Sequence, residues 1–475
     1  MTQASDLFVF NGLDGGTGQA MLPALTAEAL ARLAGGGGGD ADAEAVLLQR
    51  RRAESPFPVC EDADPRRIDE SGWGVIFAHD ADPAVREALE PLLAHRRAQA
   101  QALDERRYRE LAGDDGQFPN ERKQAFLGRH KAPRSGPVEP DRMPYYLLIV
   151  GDPERVPFEF QSQLDLQYAV GRIHFETLDE YDRYARGVVA AETEEKKRAP
   201  GVALFGARNT DDPATELACE HLIGGLAEAL AKGKRGWPVQ AITGEAATKA
   251  RLAQLLAGEA PSLLFTSTHG VGFANGDPRQ LPHQGALVCQ DWPGPSWRGP
   301  LPPEFYFAGE DLAADADVHG VVAFLFACYG AGTPRTDPFA HLRSGPAPTV
   351  APRAFLSQLP MRMLAHPRGG ALAVVGHVDR AWACSFHGGR SGPEIETFTS
   401  TLKRLLLGYP VGAAMEYFSS RYAELSSDLA LELEDPKKAR ALDLAQMWTA
   451  NNDARNYLVL GDPAVRVAQP RPRAE

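Results

Sequence analysis

The chain has 475 residues, with 50 Lys and Arg against 63 Asp and Glu, which gives a net charge of −13. At roughly 150 residues per domain, this length predicts about three domains, or one large α/β domain with an appended region. Hydrophobic residues make up 44% and charged residues 24%, a balance that excludes wholesale disorder. An acidic chain without a long Lys or Arg block lacks the electrostatic footprint of a duplex binder, so we expect no nucleic-acid partner.

The cysteines favour chemistry over architecture. They are five in number, irregularly spaced and without a CxxC pair, which disfavours a disulfide framework or a four-thiolate zinc site. The first residues lack a basic segment followed by an apolar run, and no uninterrupted apolar stretch is long enough for a membrane span. We therefore expect a reducing, cytoplasmic setting with no membrane partner. The five are Cys60, Cys219, Cys289, Cys328 and Cys384.

The first part of the chain differs in composition from the rest. A glycine run at Gly35–Gly39 has no following Gly-Lys-Ser/Thr and is interpreted as a flexible linker or insert. Residues Pro83–Leu111 are rich in Ala, Leu, Glu and Arg, which predicts a helix. The Pro/Gly-punctuated, locally basic stretch Gly116–Arg142 is the predicted boundary. It separates an accessory or inhibitory region, residues 1–140, from a main domain, residues 141–475.

The remainder alternates short apolar runs with helical stretches, which is typical of a doubly wound α/β domain built on a parallel sheet. Near-continuous apolar strands fit a sheet that is covered on both faces. The predicted strands are Tyr145–Val150, Gly201–Gly206, Pro238–Thr243, Ser262–Thr268, Val321–Ala327 and Ala371–Gly376. The predicted helices are Leu178–Val189, Thr215–Lys232, Ala246–Ala257, Phe355–Leu364 and Glu394–Leu407.

Two reactive side chains follow predicted strands directly. His269 comes after the run SLLFTST and Cys328 after VVAFLFA, separated by 328 − 269 = 59 residues. Because functional groups of open parallel sheets collect beyond the carboxyl ends of the strands, neighbouring strands would bring imidazole and thiol into one crevice. The imidazole could take the thiol proton, and the backbone N–H groups of Gly270 and Cys328 could stabilise an oxyanion. The pattern favours acyl transfer.

These motifs resemble those of caspase-like (clan CD) cysteine peptidases, in which a strand followed by His-Gly precedes a strand ending in Ala-Cys-x-Gly. Here the motifs read FTSTHG and FLFACYG. The caspase form has Gln and Arg where this chain has Phe326 and Tyr329, which argues against caspase-type aspartate specificity. The gingipain-like and CHAT-like branch is more similar. The segments that carry this second resemblance are LLIVGDPERVPF, LDLQYAVGRI, ALAVVGHVDRAW and NYLVLGDPAVRV, between about Met143 and Val467.

The resemblance implies an endopeptidase with protein or peptide substrates and no cofactor or metal. It implies His269 as general base and acid and Cys328 as nucleophile. It places Asp165 at the base of the S1 pocket and Trp382 on its wall. A carboxylate opposite an aromatic face suits a guanidinium, so we expect cleavage after Arg and less often Lys. Ser267 and Phe326 are also expected to contact substrate, and Arg172 is the alternative for an acidic P1 residue.

An enzyme that cuts after arginine should be held inactive until it is triggered, either by its own cleavage or by an upstream protease. Two basic segments could be cut for this purpose. They are the boundary with Arg122, Lys123, Arg129, Lys131 and Arg134, and the loop after the nucleophile with Arg335, Arg343 and Arg353. By resemblance, a bacterial defence system is one setting for such a peptidase.

Two other functions stay open at this point. A catalytically silent caspase-like scaffold would bind a partner in the same groove. A metal hydrolase would use His269, Asp277 and His283, although their spacing matches no helical His-x-x-x-His pattern. His377 is a second-rank alternative base because it also follows a predicted strand, and His366 is interpreted as a loop residue.

Overall fold

The computed structural model describes residues 7–8, 12–21, 25–26, 63–194, 198–233, 236–258, 260–337, 349–388, 392–434 and 441–469. The glycine run Gly35–Gly39, Cys60 and the proposed cleavage site Arg343 lie outside these residues. Within the described ranges, no helix combines the length and the apolar character that crossing a membrane requires.

Strands and helices alternate along most of the chain. The strands are β1 Leu7–Phe8, β2 Gly12–Asp14, β3 Leu25–Thr26, β4 Trp73–Phe77, β5 Tyr108–Leu111, β6 Tyr146–Val150, β7 Ala169–Ile173, β8 Val202–Gly206, β9 Val239–Thr243, β10 Leu263–Ser267, β11 Gly270–Gly272, β12 Leu287–Val288, β13 Tyr306–Phe307, β14 Val322–Phe326, β15 Gly332–Thr333, β16 Phe355–Leu356, β17 Ala373–His377 and β18 Tyr457–Gly461. The α-helices are α1 Ile68–Ser71, α2 Pro83–Ala88, α3 Glu90–Ala100, α4 Lys123–Arg129, α5 Phe158–Leu164, α6 Leu178–Thr193, α7 Pro213–Leu217, α8 Gly224–Ala231, α9 Lys249–Gly258, α10 Gln280–His283, α11 Gln358–Leu364, α12 Glu396–Leu406, α13 Val411–Ala414, α14 Glu416–Glu434 and α15 Ala441–Arg455.

A ten-stranded sheet organises the fold, with strand order β5-β4-β6-β7-β18-β17-β14-β10-β8-β9. All neighbours are parallel except β17 and β18, which are antiparallel. The large, mostly parallel sheet confirms the predicted α/β class. Because direction reverses between β18 and β17, the start of β7 lies at the same sheet edge as the carboxyl ends of β17, β14, β10 and β8.

The interior strands are buried at every position, as expected for apolar runs covered on both faces. The two outermost strands, β5 and β9, are partly exposed. The core therefore extends across the whole sheet, and only its two lateral edges meet solvent.

The prediction of one helix over Pro83–Leu111 was wrong at its carboxyl end. The helical part ends at Ala100, and Tyr108–Leu111 is the edge strand β5. Tyr108 stacks on Trp73 of the neighbouring strand with ring centroids 5.8 Å apart, and Glu110 pairs with Arg86 of α2 at 2.7 Å. These tertiary contacts favour the strand over the helical tendency of the local sequence.

The predicted boundary near residue 140 does not coincide with a break in the structure. Strands β4 and β5 belong to the central sheet. Strand β2 pairs with β11 in a second, four-stranded sheet of order β13-β12-β11-β2, where Leu13 is buried in a separate apolar cluster. The described parts of the first 140 residues are thus built into the same body as the rest.

A buried ionic network ties this early part of the chain to its last strand. The Arg96 guanidinium, which is 0% exposed, donates to Asp462 at 2.6 Å and pairs with Glu192 at 2.6 Å. The Trp73 indole N–H donates to the other Asp462 oxygen at 3.0 Å. Asp462 belongs to the second Gly-Asp-Pro motif, so that motif is a structural junction between distant parts of the sequence.

Replacing Asp462 by Asn should lower the free energy of unfolding by about 3 kcal/mol, because it leaves the buried Arg96 charge without one of its two carboxylates. Urea denaturation followed by circular dichroism measures the change. Asp182→Asn, which breaks an exposed ion pair with Arg186, is the matched control and should change the free energy by less than about 0.5 kcal/mol. Equal effects of the two substitutions would contradict the importance of the network.

Candidate active site

His269 and Cys328 follow two neighbouring parallel strands in the same register. Ser267, the last residue of β10, pairs with Phe326, the last residue of β14. His269 and Cys328 each lie two residues further on (269 − 267 = 2 and 328 − 326 = 2), at one edge of the sheet. The predicted juxtaposition of imidazole and thiol therefore has a structural basis in the strand register.

Gly270 brings the two loops into contact through the backbone. A Cβ atom built on Gly270 would lie 1.9 Å from the carbonyl oxygen of Cys328, closer than any real side-chain contact. Glycine is thus required here by close approach. Gly270 also begins β11, which links the second sheet to the site.

An aspartate that the sequence analysis did not name is bonded to His269. The His269 Nε2 atom lies 2.7 Å from Asp212 Oδ2. The same oxygen accepts from the Thr215 hydroxyl at 2.6 Å and from the Thr215 N–H at 3.2 Å. Burial raises the pKa of Asp212, but His269 and Thr215 together bring it below its usual value. The carboxylate is therefore ionised and fixes the imidazole.

The sequence contained a signal for Asp212. It follows the predicted strand Gly201–Gly206 and precedes Pro213, which is the usual sequence of an N-cap residue and the first residue of a helix. Strand β8 is the direct neighbour of β10. Applying the strand-end rule to β8 as well as to β10 and β14 would have included this residue.

Packing restrains the His269 ring further. The Trp292 ring lies edge-on to it, with centroids 5.7 Å apart. Asn209, in the loop that carries Asp212, donates to the Trp292 carbonyl oxygen at 2.7 Å. His269 is 2% exposed, so its position is set by aromatic packing on one side and by the carboxylate on another.

The thiol is covered. Cys328 is 0% exposed, and the Ala381 N–H donates to its Sγ at 3.2 Å. Burial raises the pKa of the Cys328 thiol well above its usual value. His269 Nδ1 is also buried and has no hydrogen-bond partner among the described residues. In this conformation the sulfur is bonded to the segment after β17.

The turn at the thiol has a special backbone conformation. Tyr329 has φ of 58°, in the left-handed region that non-glycine residues seldom adopt. Its N–H donates to the Asp379 carbonyl oxygen at 2.8 Å. This bond holds the turn against the segment after β17, and such outliers often lie at functional sites.

The residues predicted to bind substrate do not share one cavity. Asp165 ends α5, accepts from the Val170 N–H at 3.0 Å and lines a small cavity between α5, α14 and α15. Burial raises the pKa of Asp165 above its usual range. Trp382, Ser267 and Phe326 are buried and do not line that cavity.

The alternative histidines and Arg172 have structural partners. Arg172 donates to Gln161 at 2.9 Å and to two carbonyl oxygens. His377 lies 3.1 Å from the Asp453 carbonyl oxygen and accepts from the Asp379 N–H at 3.1 Å. His366 lies 3.0 Å from the Ala313 carbonyl oxygen.

The three residues of the metal reading have separate partners. His269 is bonded to Asp212, whereas Asp277 pairs with Arg279 at 2.8 Å and His283 lies 2.8 Å from the Tyr306 hydroxyl. Across the described ranges, no three His, Cys, Asp or Glu side chains are grouped as metal ligands. The metal hydrolase reading gains no support from this geometry.

The proposed cleavage sites differ in accessibility. Lys123 is 1% exposed within α4. Arg129 is on the same helix and pairs with Glu121 at 2.9 Å. The remaining described sites are exposed: Arg122, Lys131, Arg134, Arg335 and Arg353.

Replacing Gly270 by Ala should lower the free energy of unfolding by about 2 kcal/mol, because the new methyl group would overlap a backbone carbonyl that cannot rotate away. Thermal and urea denaturation measure this loss. Gly258→Ala is the control, since no heavy atom lies within 4 Å of a Cβ at that helical position. If the two substitutions have the same effect, the close backbone contact is not a constraint.

Three solved structures are similar to this chain. The crystal structure of the Arg-specific cysteine proteinase gingipain R has 13% identity and a TM-score of 0.49, over 86% of this chain and 80% of that one. A structure of a protease has 12% identity and a TM-score of 0.47, over 84% and 78%. The complex of the pro- and mature domains of Porphyromonas gingivalis RgpB has 14% identity and a TM-score of 0.42, over 83% and 80%. No family model and no curated protein matches the chain.

Proposed function

We propose that this chain is a cysteine endopeptidase of the caspase-like clan, with Cys328 as nucleophile and His269 as general base and acid. One observation carries the proposal: an imidazole bonded to a carboxylate and a thiol follow adjacent parallel strands in the same register. A nucleophile, a base and a group that orients the base are the parts that acyl transfer needs.

The bond to Asp212 determines which nitrogen of His269 acts. An ionised carboxylate accepts a hydrogen bond, so Nε2 carries the proton and Nδ1 keeps its lone pair. Nδ1 is therefore the atom that takes the proton from the Cys328 thiol. This tautomer is assigned from the hydrogen bond.

The reaction proceeds by two acyl transfers. The Cys328 sulfur attacks the peptide carbonyl carbon while Nδ1 of His269 takes the thiol proton. The N–H groups of Gly270 and Cys328 donate to the oxyanion of the tetrahedral intermediate. The C–N bond then breaks and His269 returns the proton to the leaving amine. Water, deprotonated by His269, attacks the thioester and releases the carboxylic acid and the thiol.

The covered thiol supports the part of the proposal that the enzyme is held inactive until triggered. A side chain that is 0% exposed cannot meet a peptide carbonyl, and a raised thiol pKa disfavours the nucleophilic thiolate. Cleavage by this chain or by an upstream protease is the proposed trigger. Accessible candidate positions are Arg122, Lys131, Arg134, Arg335 and Arg353.

A preference for Arg at P1, and less for Lys, is the finer part of the proposal. Two observations support it. The chain has a net charge of −13, which attracts basic peptides. Asp165 precedes β7, whose start is at the sheet edge where His269 and Cys328 lie. Trp382 is proposed as the aromatic wall of the same pocket.

Cys328→Ala and His269→Ala should each abolish hydrolysis of an Arg-containing fluorogenic peptide. Asp212→Asn should lower kcat/KM by about 100-fold or more, because an amide can donate to Nε2 and so place the imidazole proton on Nδ1. The assay is run before and after limited proteolysis, with intact-mass analysis of each sample.

Asp211→Asn is the matched control, since Asp211 is exposed, adopts φ of 59° and precedes the residue that orients His269. It should keep wild-type activity. Turnover that persists in Cys328→Ala would rule out the nucleophile. Absence of turnover in every sample, including proteolysed wild type, would favour a silent partner-binding scaffold.

Peptides that differ only at P1 test the specificity. We expect Arg to exceed Lys by several-fold and both to exceed Asp or Leu, and Asp165→Asn to lower kcat/KM for the Arg peptide by roughly 10-fold through loss of a charge-assisted pair. Asp182→Asn, a surface substitution, is the control. The same P1 ranking in Asp165→Asn and wild type would remove Asp165 from the S1 pocket.

A further inference from the structure

The Cys328 thiol is covered by a short segment that follows β17. The segment comprises residues 379–382, and it contacts the thiol through the Ala381 N–H, 3.2 Å from Sγ. The Ala381 carbonyl oxygen lies 3.9 Å from the same sulfur. Cys328 is 0% exposed as a result, so both the solvent and the His269 side of the reaction depend on this segment moving.

A single bidentate ion pair holds this segment from the outside. The Arg380 guanidinium, next in sequence to Ala381, donates to both carboxylate oxygens of Asp337 at 2.7 and 3.0 Å. Arg380 is 5% exposed and also lies 3.7 Å from Asp379. Two parallel N–H···O bonds in a buried setting fix both distance and orientation, which a single bond would not do.

The position of the partner gives the pair its meaning. Asp337 lies nine residues after Cys328 (337 − 328 = 9), on the strand that leaves the site through β15. The ion pair therefore connects the two chain segments that flank the sulfur, one leaving β14 and one leaving β17. A backbone bond between Tyr329 and Asp379 joins them at 2.8 Å on the inner side.

We propose that the Arg380–Asp337 ion pair is a latch that keeps residues 379–382 over the Cys328 thiol, and that the enzyme becomes active when this pair separates. The inference rests on the proposed peptidase function and names its regulation. Separation frees the Ala381 N–H from Sγ, exposes the sulfur to a substrate carbonyl and lets the thiol turn towards His269 Nδ1, which is buried without a hydrogen bond.

The test measures thiol accessibility and not catalysis. The full chain is treated with iodoacetamide, and the alkylation rate of each cysteine is measured by peptide mass spectrometry. Asp337→Ala should raise the rate at Cys328 by at least about tenfold, because bonding to Ala381 no longer has support from the ion pair. Arg380→Lys keeps the charge but not the bidentate geometry, and it should give a smaller rise.

Two controls make the result decisive. Cys289 is 0% exposed at a separate position, so it reports unfolding and should stay unlabelled. Asp182→Ala breaks the exposed pair with Arg186 and should leave the Cys328 rate unchanged. The charge swap Asp337→Arg with Arg380→Asp should return the Cys328 rate to within about twofold of wild type, since the attraction is restored.

The latch is overturned if Asp337→Ala and Arg380→Lys label Cys328 at the wild-type rate. It is also overturned if Cys289 becomes labelled in parallel with Cys328 in both variants, because the opening is then global. Peptide hydrolysis is measured on the same samples. Faster labelling of Cys328 without turnover in any sample supports the latch and removes the peptidase function, so the two failures are distinguishable.

Discussion

The antiparallel pairing of β17 with β18 is the constraint on which the geometry of this molecule depends. On one side of it, β17, β14, β10, β8 and β9 run in one direction, and on the other side β18, β7, β6, β4 and β5 run in the opposite one. Residues after one set of strands and before the other set therefore share an edge. Asp212, His269 and Cys328 are there because a parallel register carries each strand end to the same level.

A second constraint makes the early part of the chain inseparable from the sheet. Arg96, Asp462 and Glu192 form an ionic network without solvent access to the guanidinium. The buried charges cost desolvation and are tolerated only because each is paired. This network joins positions 366 residues apart in sequence (462 − 96 = 366), so the fold closes on itself at the side of the sheet where β4 lies.

The candidate site combines a rigid base with a covered nucleophile. Packing against Trp292 and the bond to Asp212 restrain His269. The Cys328 sulfur, in contrast, is bonded to the backbone of Ala381, and burial disfavours its thiolate form. The same close packing that protects a thiol from adventitious oxidation also prevents attack on a peptide. Catalysis by this arrangement requires movement of the nucleophile's cover and little change at the base.

Local sequence determined the strands that matter most. Short apolar runs flanked by Gly and Pro predicted β6, β8, β10, β14 and β17, because such runs are stable only when both faces are covered. The strand-end rule then selected His269 and Cys328. The α/β class followed from the same alternation of runs and helices.

The tertiary structure decided what depends on contacts between distant residues. It turned Tyr108–Leu111 into an edge strand through stacking on Trp73, and it placed Asp212 on His269 through the pairing of β8 with β10. Strand order and direction are not written in any local pattern, because they arise from which apolar faces bury one another. The sequence by itself determined which residues end the strands. Only the assembled sheet decided which of those ends meet.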